Sequence, residues 1–181
     1  MVPMESLDPD TVEFIKNAPF RHYYLRRVVN KEDSISTPSR LVVDPTMSGL
    51  NLTLAKGENR TGSLIDILLR NRVLQHAWSS DVTKLYNQQH LERFALPYSL
   101  FLYEDDLNPN NVPATFVMKV AWYRVVPTGN QANYALELLV QETAQEFPHA
   151  VDPLSHHRYV DDVVSGAETP GLREEQITQS I

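Results

Sequence analysis

Two adjacent carboxylates, Asp161 and Asp162, are the residues of this chain best suited to chemistry. They follow the strand-forming pair Tyr159 and Val160 and precede two further valines, so the segment predicts a hairpin with both acids at its tip. Neighbouring carboxylates repel each other, and a divalent cation such as Mg²⁺, which prefers oxygen ligands, relieves that repulsion. The pattern indicates a cation site, although an exposed Asp-Asp turn without function has the same sequence.

A third carboxylate, Asp81, lies near the end of a predicted strand at residues 77–82. Aspartates that clamp two Mg²⁺ ions stabilise the attacking and leaving oxygens of an in-line displacement. A lone aspartate at a strand end is more often a turn or capping residue, so the hypothesis needs Asp81 to lie beside the hairpin. We expect the carboxylates of Asp81 and Asp161 to lie within about 4–6 Å of each other.

Composition excludes several classes of site. The chain has 181 residues, 42% of them hydrophobic, which suits one domain with a sizeable core. The absence of cysteine excludes disulfides, zinc-thiolate sites and a thiol nucleophile. No apolar run approaches the roughly 20 residues of a membrane span, and residues 1–20 lack the pattern of a signal peptide. We therefore expect an intracellular protein, cytoplasmic or nuclear.

Charge is distributed unevenly along the chain. The net charge is −7, yet residues 21–72 hold nine Lys or Arg against five acids. A basic segment before an acidic remainder could bind phosphates on one side and cations on the other. Solvated surface charge would give the same asymmetry.

The elements that must position the acids predict an α+β fold, an antiparallel sheet with helices packed on one face. Apolar residues recur at helical spacing in two of the predicted helices: Leu64 and Leu68 in one, and Tyr134, Leu138 and Leu139 in the other. Strands are predicted at 40–44, 77–82, 100–103 and 116–126, a hairpin at 158–165, and helices at 10–16, 61–76, 131–146 and from 172.

Five short stretches follow one another in a set order along the chain. They are Arg40-Leu-Val-Val-Asp44, Gly62-Ser-Leu-Ile-Asp66, Asp81-Val-Thr-Lys-Leu-Tyr86, Val126-Pro-Thr-Gly129 and Tyr159-Val-Asp-Asp162. In order and approximate spacing, from about residue 38 onward, they resemble the fingers and palm of a reverse transcriptase, an RNA-directed DNA polymerase. The resemblance is closest to the polymerase of BEL/Pao-type LTR retrotransposons.

The resemblance implies a domain organisation. Residues 1–36 would be an N-terminal extension, residues 37–76 part of the fingers, and residues 77–181 a polymerase palm truncated soon after Tyr159-Val-Asp-Asp162. We expect the thumb and RNase H regions to be missing, so that further regions or a partner chain would complete the polymerase. Because the thumb normally neutralises many phosphates, we expect weak primer–template binding from this chain alone.

By the same resemblance, Asp81, Asp161 and Asp162 are the catalytic and metal-binding residues. Asp81 and Asp161 would hold two Mg²⁺ or Mn²⁺ ions, and Asp162 would support the ion that activates the primer hydroxyl. Phosphoryl transfer needs little from a protein beyond positioning and charge neutralisation. The implied reaction is template-directed DNA synthesis from deoxynucleoside triphosphates, on an RNA or DNA template with a primer, by two-metal-ion nucleotidyl transfer.

A nucleotide pocket is also implied. Arg40 would neutralise the triphosphate through paired hydrogen bonds, and Tyr86 would lie under the sugar and exclude a 2′-hydroxyl. Otherwise Arg40 is a surface cation and Tyr86 a core aromatic residue. The remaining assigned residues are Pro127, Thr128 and Gly129 for the nucleotide and Gln131 and Tyr159 for the template and primer.

Two other functions fit the same residues. The chain could be a catalytically inactive retroelement remnant that keeps the palm fold and binds nucleic acid or a protein. It could also be an unrelated Mg²⁺ hydrolase that uses the same acids, but we find no general-base or water-positioning motif for one.

Overall fold

The computed structural model describes residues 1–30, 39–103 and 113–180 and confirms a mixed α+β protein. Within these ranges, no helix has both the length and the apolar character to cross a membrane. The strands are β1 (Val2–Pro3), β2 (Leu25–Asn30), β3 (Ser39–Asp44), β4 (His76–Asp81), β5 (Leu100–Tyr103), β6 (Ala114–Val117), β7 (Arg158–Tyr159) and β8 (Asp162–Ala167). The α-helices are α1 (Pro9–Asn17), α2 (Leu50–Thr53), α3 (Leu64–Asn71), α4 (Thr128–Thr143), α5 (Pro148–His156) and α6 (Pro170–Ser180). Short 3₁₀ helices span Met4–Ser6, Leu85–Gln88 and Arg93–Tyr98.

The strands of the described residues form three small antiparallel sheets rather than the single sheet that we predicted. Their strand orders are β1-β6-β5, β2-β3 and β4-β8-β7. The chain divides into two compact units, each of which packs mainly within itself. The first unit comprises residues 1–55 and 86–128, and the second comprises residues 56–85 and 129–181. The predicted boundaries after residues 36 and 76 concern polymerase subdomains and stay a prediction.

The first unit is built on large apolar side chains. Leu100 and Phe101 of β5 and Val117 of β6 are buried, and Ile15 of α1 packs against Leu100 and Val117. A second cluster joins Tyr24, Val43, Leu50, Met118 and Trp122. Helix α1, predicted at residues 10–16, is confirmed. The Asp8 carboxylate caps it by accepting the Thr11 N–H at 2.8 Å.

The strand predicted over residues 116–126 is wrong beyond Val117. β6 ends there, although Met118, Ala121 and Trp122 are buried. The backbone instead bonds to residues 89–91, because Leu91 N–H donates to the Lys119 carbonyl and Ala121 N–H to the Gln89 carbonyl. An apolar run shows that a segment is buried but does not show that it is a strand.

The second unit places its sheet against helices α3, α5 and α6. Trp78 of β4 reaches α6, where its indole N–H donates to the Gln176 side-chain oxygen at 3.0 Å. Gly166 of β8 allows close packing of the chain, since a Cβ at this position would lie 2.9 Å from Leu74 Cβ and 3.0 Å from the His76 carbonyl oxygen. Any larger residue at position 166 would push β8 away from β4.

Two details of the predicted helices are wrong. The helix predicted to run from residue 61 to about 76 is capped by Ser63, one of the two caps that its sequence offers. It ends early, at Asn71, because His76 already pairs with Ala167 in the sheet. The apolar side of the 131–146 helix faces outward, since Tyr134, Leu138 and Leu139 are exposed, whereas α4 buries Ala132, Asn133 and Val140. Helical spacing shows which apolar residues share one side of a helix, but it does not show whether another element packs against that side.

Candidate active site

The register of β4 against β8 brings two of the three predicted acids together. Asp81 is the direct antiparallel partner of Asp162. Directly opposed residues of antiparallel strands point to the same face of a sheet, with Cβ atoms about 4.5–5.5 Å apart. Both side chains are exposed. The structure therefore places Asp81 beside the hairpin, opposite Asp162, and we call these two residues the carboxylate pair.

The third acid, Asp161, lies in the turn of the hairpin. Tyr159 pairs with Asp162, which leaves Val160 and Asp161 as a two-residue turn. The Asp161 carbonyl accepts the Val82 N–H at 2.8 Å, so the turn is bonded to the residue that follows Asp81. This bond fixes the backbone of Asp161 relative to the carboxylate pair.

Val160 has a strained backbone. Its φ is +59°, a region that β-branched residues rarely adopt. A positive φ at the first central residue alone is the pattern of a type II′ hairpin turn, which normally has glycine there. The strain costs on the order of 1–3 kcal/mol and persists only where neighbouring contacts hold the turn.

The Arg158 guanidinium makes those contacts. Its Nη1 donates to the Val160 carbonyl at 2.8 Å and to the Asn133 side-chain oxygen at 2.5 Å, while its Nε donates to the Leu154 carbonyl at 3.3 Å. Asn133 is only 1% exposed and donates in turn to Thr61 Oγ1 at 3.2 Å. A chain of hydrogen bonds thus runs from α4 to the turn that carries Asp161.

Burial lowers the pKa of the Arg158 guanidinium, and Glu137 raises it in part. Sequence reasoning missed both Arg158 and Asn133. The only signal for Arg158 is its position directly before Tyr159, and nothing in the spacing of Asn133 indicates its role. The bonds that join Arg158 to Asn133 and Asn133 to Thr61 link residues 25 and 72 positions apart, which local patterns do not encode.

Hard oxygen ligands are available for a divalent cation at this site, since the carboxylate pair lies opposite across two strands and Asp161 is adjacent. Over the residues that the structure describes, however, no three acidic or histidine side chains are grouped closely enough to hold a metal ion. The carboxylate oxygens are of the type that Mg²⁺ prefers, but two acids are brought together while the third lies in the adjoining turn, so Mg²⁺ binding stays a prediction.

Four predicted nucleotide-binding residues belong to the first unit. Arg40 lies in β3 opposite Val29, and half-buried Tyr86 packs edge-on against the Tyr123 ring with centroids 4.7 Å apart. Pro127 is half-buried, and Thr128 is 3% exposed with its N–H donating to the Val125 carbonyl. Their nucleotide contacts stay predictions, and Thr128 offers little side-chain surface to a ligand.

The other predicted ligand-contacting residues belong to the second unit. A Cβ on Gly129 would meet no atom within 4 Å, so this glycine leaves open space beside the start of α4. Gln131 is exposed and Tyr159 is half-buried in β7. Their contacts with nucleotide, template and primer also stay predictions.

Comparison with known proteins finds no matching family model and no matching curated protein. The case for a function therefore depends on the residues, their resemblance to the polymerase motifs and the geometry of the hairpin.

Proposed function

We propose that this chain is a fingers–palm part of a reverse transcriptase that carries out template-directed DNA synthesis by two-metal-ion nucleotidyl transfer. The observation that supports this most is the direct pairing of Asp81 with Asp162 across β4 and β8, with Asp161 in the adjoining turn. Asp81 precedes Asp161 by 80 positions and Asp162 by 81, so no local sequence pattern requires it to meet them.

The Tyr159–Asp162 hairpin would position the reacting groups. Asp81, Asp161 and Asp162 would bind Mg²⁺ or Mn²⁺ through carboxylate oxygens, and the bond from Val82 N–H to the Asp161 carbonyl would keep these ligands in register. The bound cations would neutralise charge on the attacking and leaving oxygens. The polymerase palm fold and the roles of Arg40 and Tyr86 belong to this proposal.

A primer-extension assay tests the proposal. The substrate is an RNA template annealed to a DNA primer, with deoxynucleoside triphosphates and either Mg²⁺ or Mn²⁺. We expect Asp81→Asn and Asp161→Asn to lower the extension rate by on the order of 10³-fold, because each removes a charged ligand while keeping side-chain size.

The matched control is Glu168→Gln. Glu168 is exposed and directly follows β8 at the end opposite Asp162, roughly 20 Å away along the strand. It should extend primers as the wild type does. Equal activity of Asp161→Asn and Glu168→Gln would remove these acids from the mechanism.

One observation favours a second function, the inactive remnant that binds nucleic acid or a protein. The acids of the hairpin and β4 do not form a three-ligand group within the described ranges. In the same assay, template binding without any extension under either metal would support the remnant over the enzyme.

A further inference from the structure

A small polar cavity in the second unit borders the hairpin turn. Its volume is about 150 Å³, and Val160 of the turn forms part of its wall. The charged residues in its wall are three arginines, Arg60, Arg70 and Arg158, and two acids, Asp66 and Glu137. We call this space the arginine cavity.

The three arginines differ in how their charge is compensated. Arg60 is paired with two carboxylates, Glu137 at 2.6 Å and Glu58 at 2.9 Å. In the described parts of the chain, neither Arg70 nor Arg158 has a carboxylate oxygen within 4.0 Å. The cavity therefore contains two guanidinium groups whose charge no ion pair neutralises.

Main-chain and amide oxygens are the partners that these two arginines do have. Arg70 Nη1 donates to the His156 carbonyl at 3.0 Å, and Arg158 donates to Asn133 and to the carbonyls of Leu154 and Val160. Such neutral acceptors orient a guanidinium but leave its full positive charge. A partly buried charge without a close counter-ion is unfavourable, and burial lowers the pKa of Arg158, an effect that Glu137 offsets only in part. Arg70 is exposed, so burial does not add this cost there.

An oxyanion would supply the missing negative charge. Guanidinium groups bind phosphate through paired, charge-assisted hydrogen bonds. The cavity, at about 150 Å³, has room for a phosphate group beside the two guanidinium groups. The uncompensated charge of the two arginines therefore indicates an oxyanion, and the cavity has room for a phosphate.

We propose that the arginine cavity binds one backbone phosphate of a nucleic-acid strand, with Arg70 and Arg158 as its ligands. The choice of a strand over free phosphate rests on the proposed function. Because Val160 lies in the cavity wall, a strand held there would be placed beside the turn that carries Asp161.

The test measures binding of a fluorescently labelled primer–template in EDTA, so that no catalysis is needed. We expect Arg70→Gln to weaken binding about tenfold, since a hydrogen bond to a charged group is lost. The slope of log K against log salt should fall by about 0.7–0.9, the value for one phosphate contact. Arg70 is exposed, so this variant should fold, whereas Arg158 also holds the turn.

The matched control is Arg72→Gln, which removes an equal charge. Arg72 is exposed directly after α3 and does not line the cavity. It should change affinity less than twofold. Titration of the wild type with inorganic phosphate should also shift the side-chain N–H NMR signals of Arg70 and Arg158, and not that of Arg72.

The outcomes distinguish a phosphate of a nucleic-acid strand from free phosphate, and the cavity proposal from the proposed catalysis. Equal affinities and salt slopes for the two variants, or no binding at all, would overturn the proposal. Shifts with inorganic phosphate but no effect of Arg70→Gln on primer–template binding would assign the cavity to free phosphate and also overturn it. If Arg70-dependent binding is seen without primer extension, the cavity proposal stands and the proposed catalysis fails. If primer extension is seen and Arg70→Gln leaves it unchanged, the proposed catalysis stands and the cavity proposal fails.

Discussion

The two compact units bury different kinds of side chain. The first unit buries large apolar residues such as Phe101, Leu100 and Trp122. The buried residues of the second unit include many small or polar ones: Ala132, Asn133, Ala150, Ser165, Ala167 and Gln176. Both units also expose large apolar side chains, for example Leu52 and Phe94 in the first and Ile65 and Val73 in the second.

This difference separates two sources of stability. Apolar burial contributes about 25 cal/mol per Å², so the first unit gains most from packing. The second unit, which carries the carboxylate pair, depends more on specific hydrogen bonds such as those of Arg158 and Trp78. The predicted chemistry thus lies in the unit that gains less from its core.

The largest loss of stability should come from truncating a buried side chain in the core of the first unit. Phe101 is 1% exposed and stacks on Phe116 with ring centroids 5.6 Å apart. Phe101→Ala should lower the free energy of unfolding by about 3–5 kcal/mol through lost burial and the cavity that is left. Urea denaturation measures it, with the exposed neighbour Leu102→Ala as the control. A loss below about 1 kcal/mol would contradict the apolar account of this unit.

Removing the central cation of the second unit tests whether hydrogen bonds stabilise it. Arg158→Met leaves the buried Asn133 oxygen and the Val160 carbonyl without their donor. We expect a loss of about 1–3 kcal/mol in the free energy of unfolding, with Arg72→Met close to neutral. If Arg158→Met were instead stabilising, the cost of burying the charge would outweigh the bonds it makes.

A smaller effect of opposite sign is expected at the turn. Val160→Gly relieves the strain of the positive φ, and part of the gain is offset by the greater freedom of glycine in the unfolded chain. Thermal and urea unfolding should show stabilisation by about 0.5–1 kcal/mol. Val164→Gly, in the middle of β8, should destabilise by about 1 kcal/mol. The same direction for both variants would show that the turn is not strained.

The smallest effect concerns the carboxylate pair. Asp81 and Asp162 are like charges placed directly opposite each other, which costs roughly 0.2–1 kcal/mol. Asp162→Asn should therefore stabilise the protein by about 0.5 kcal/mol at low salt, and the gain should fade near about 1 M salt because the charges are screened. Glu168→Gln should show no such gain. If Asp162→Asn stabilises the protein and abolishes primer extension, Asp162 serves function at a cost in stability.

Local patterns predicted the elements that carry the site. Strands were predicted at 77–82 and, from the apolar residues around Asp161-Asp162, in the hairpin, and the structure has strands in both places. β8 runs two residues beyond the predicted end. The strand at 100–103 and the helix from 172 are also present, as β5 and α6. In each case the signal lies within a few neighbouring residues.

The sequence by itself determined which segments carry carboxylates, and it indicated β4, the hairpin, β5 and α6, because propensity and periodicity act over a few neighbouring residues. It did not indicate β2 or α5, and it did not show that β6 ends at Val117. Only the tertiary structure decided that Asp81 faces Asp162, that α4 turns Asn133 inward, and that Arg158 binds both Asn133 and the Val160 turn. Asp81 and Asp162 are 81 positions apart and Arg158 and Asn133 are 25 apart, and only the bond from Arg158 to the Val160 carbonyl is local. A shift of one residue in register would move Asp162 to the opposite face of the sheet, and no local pattern fixes that choice.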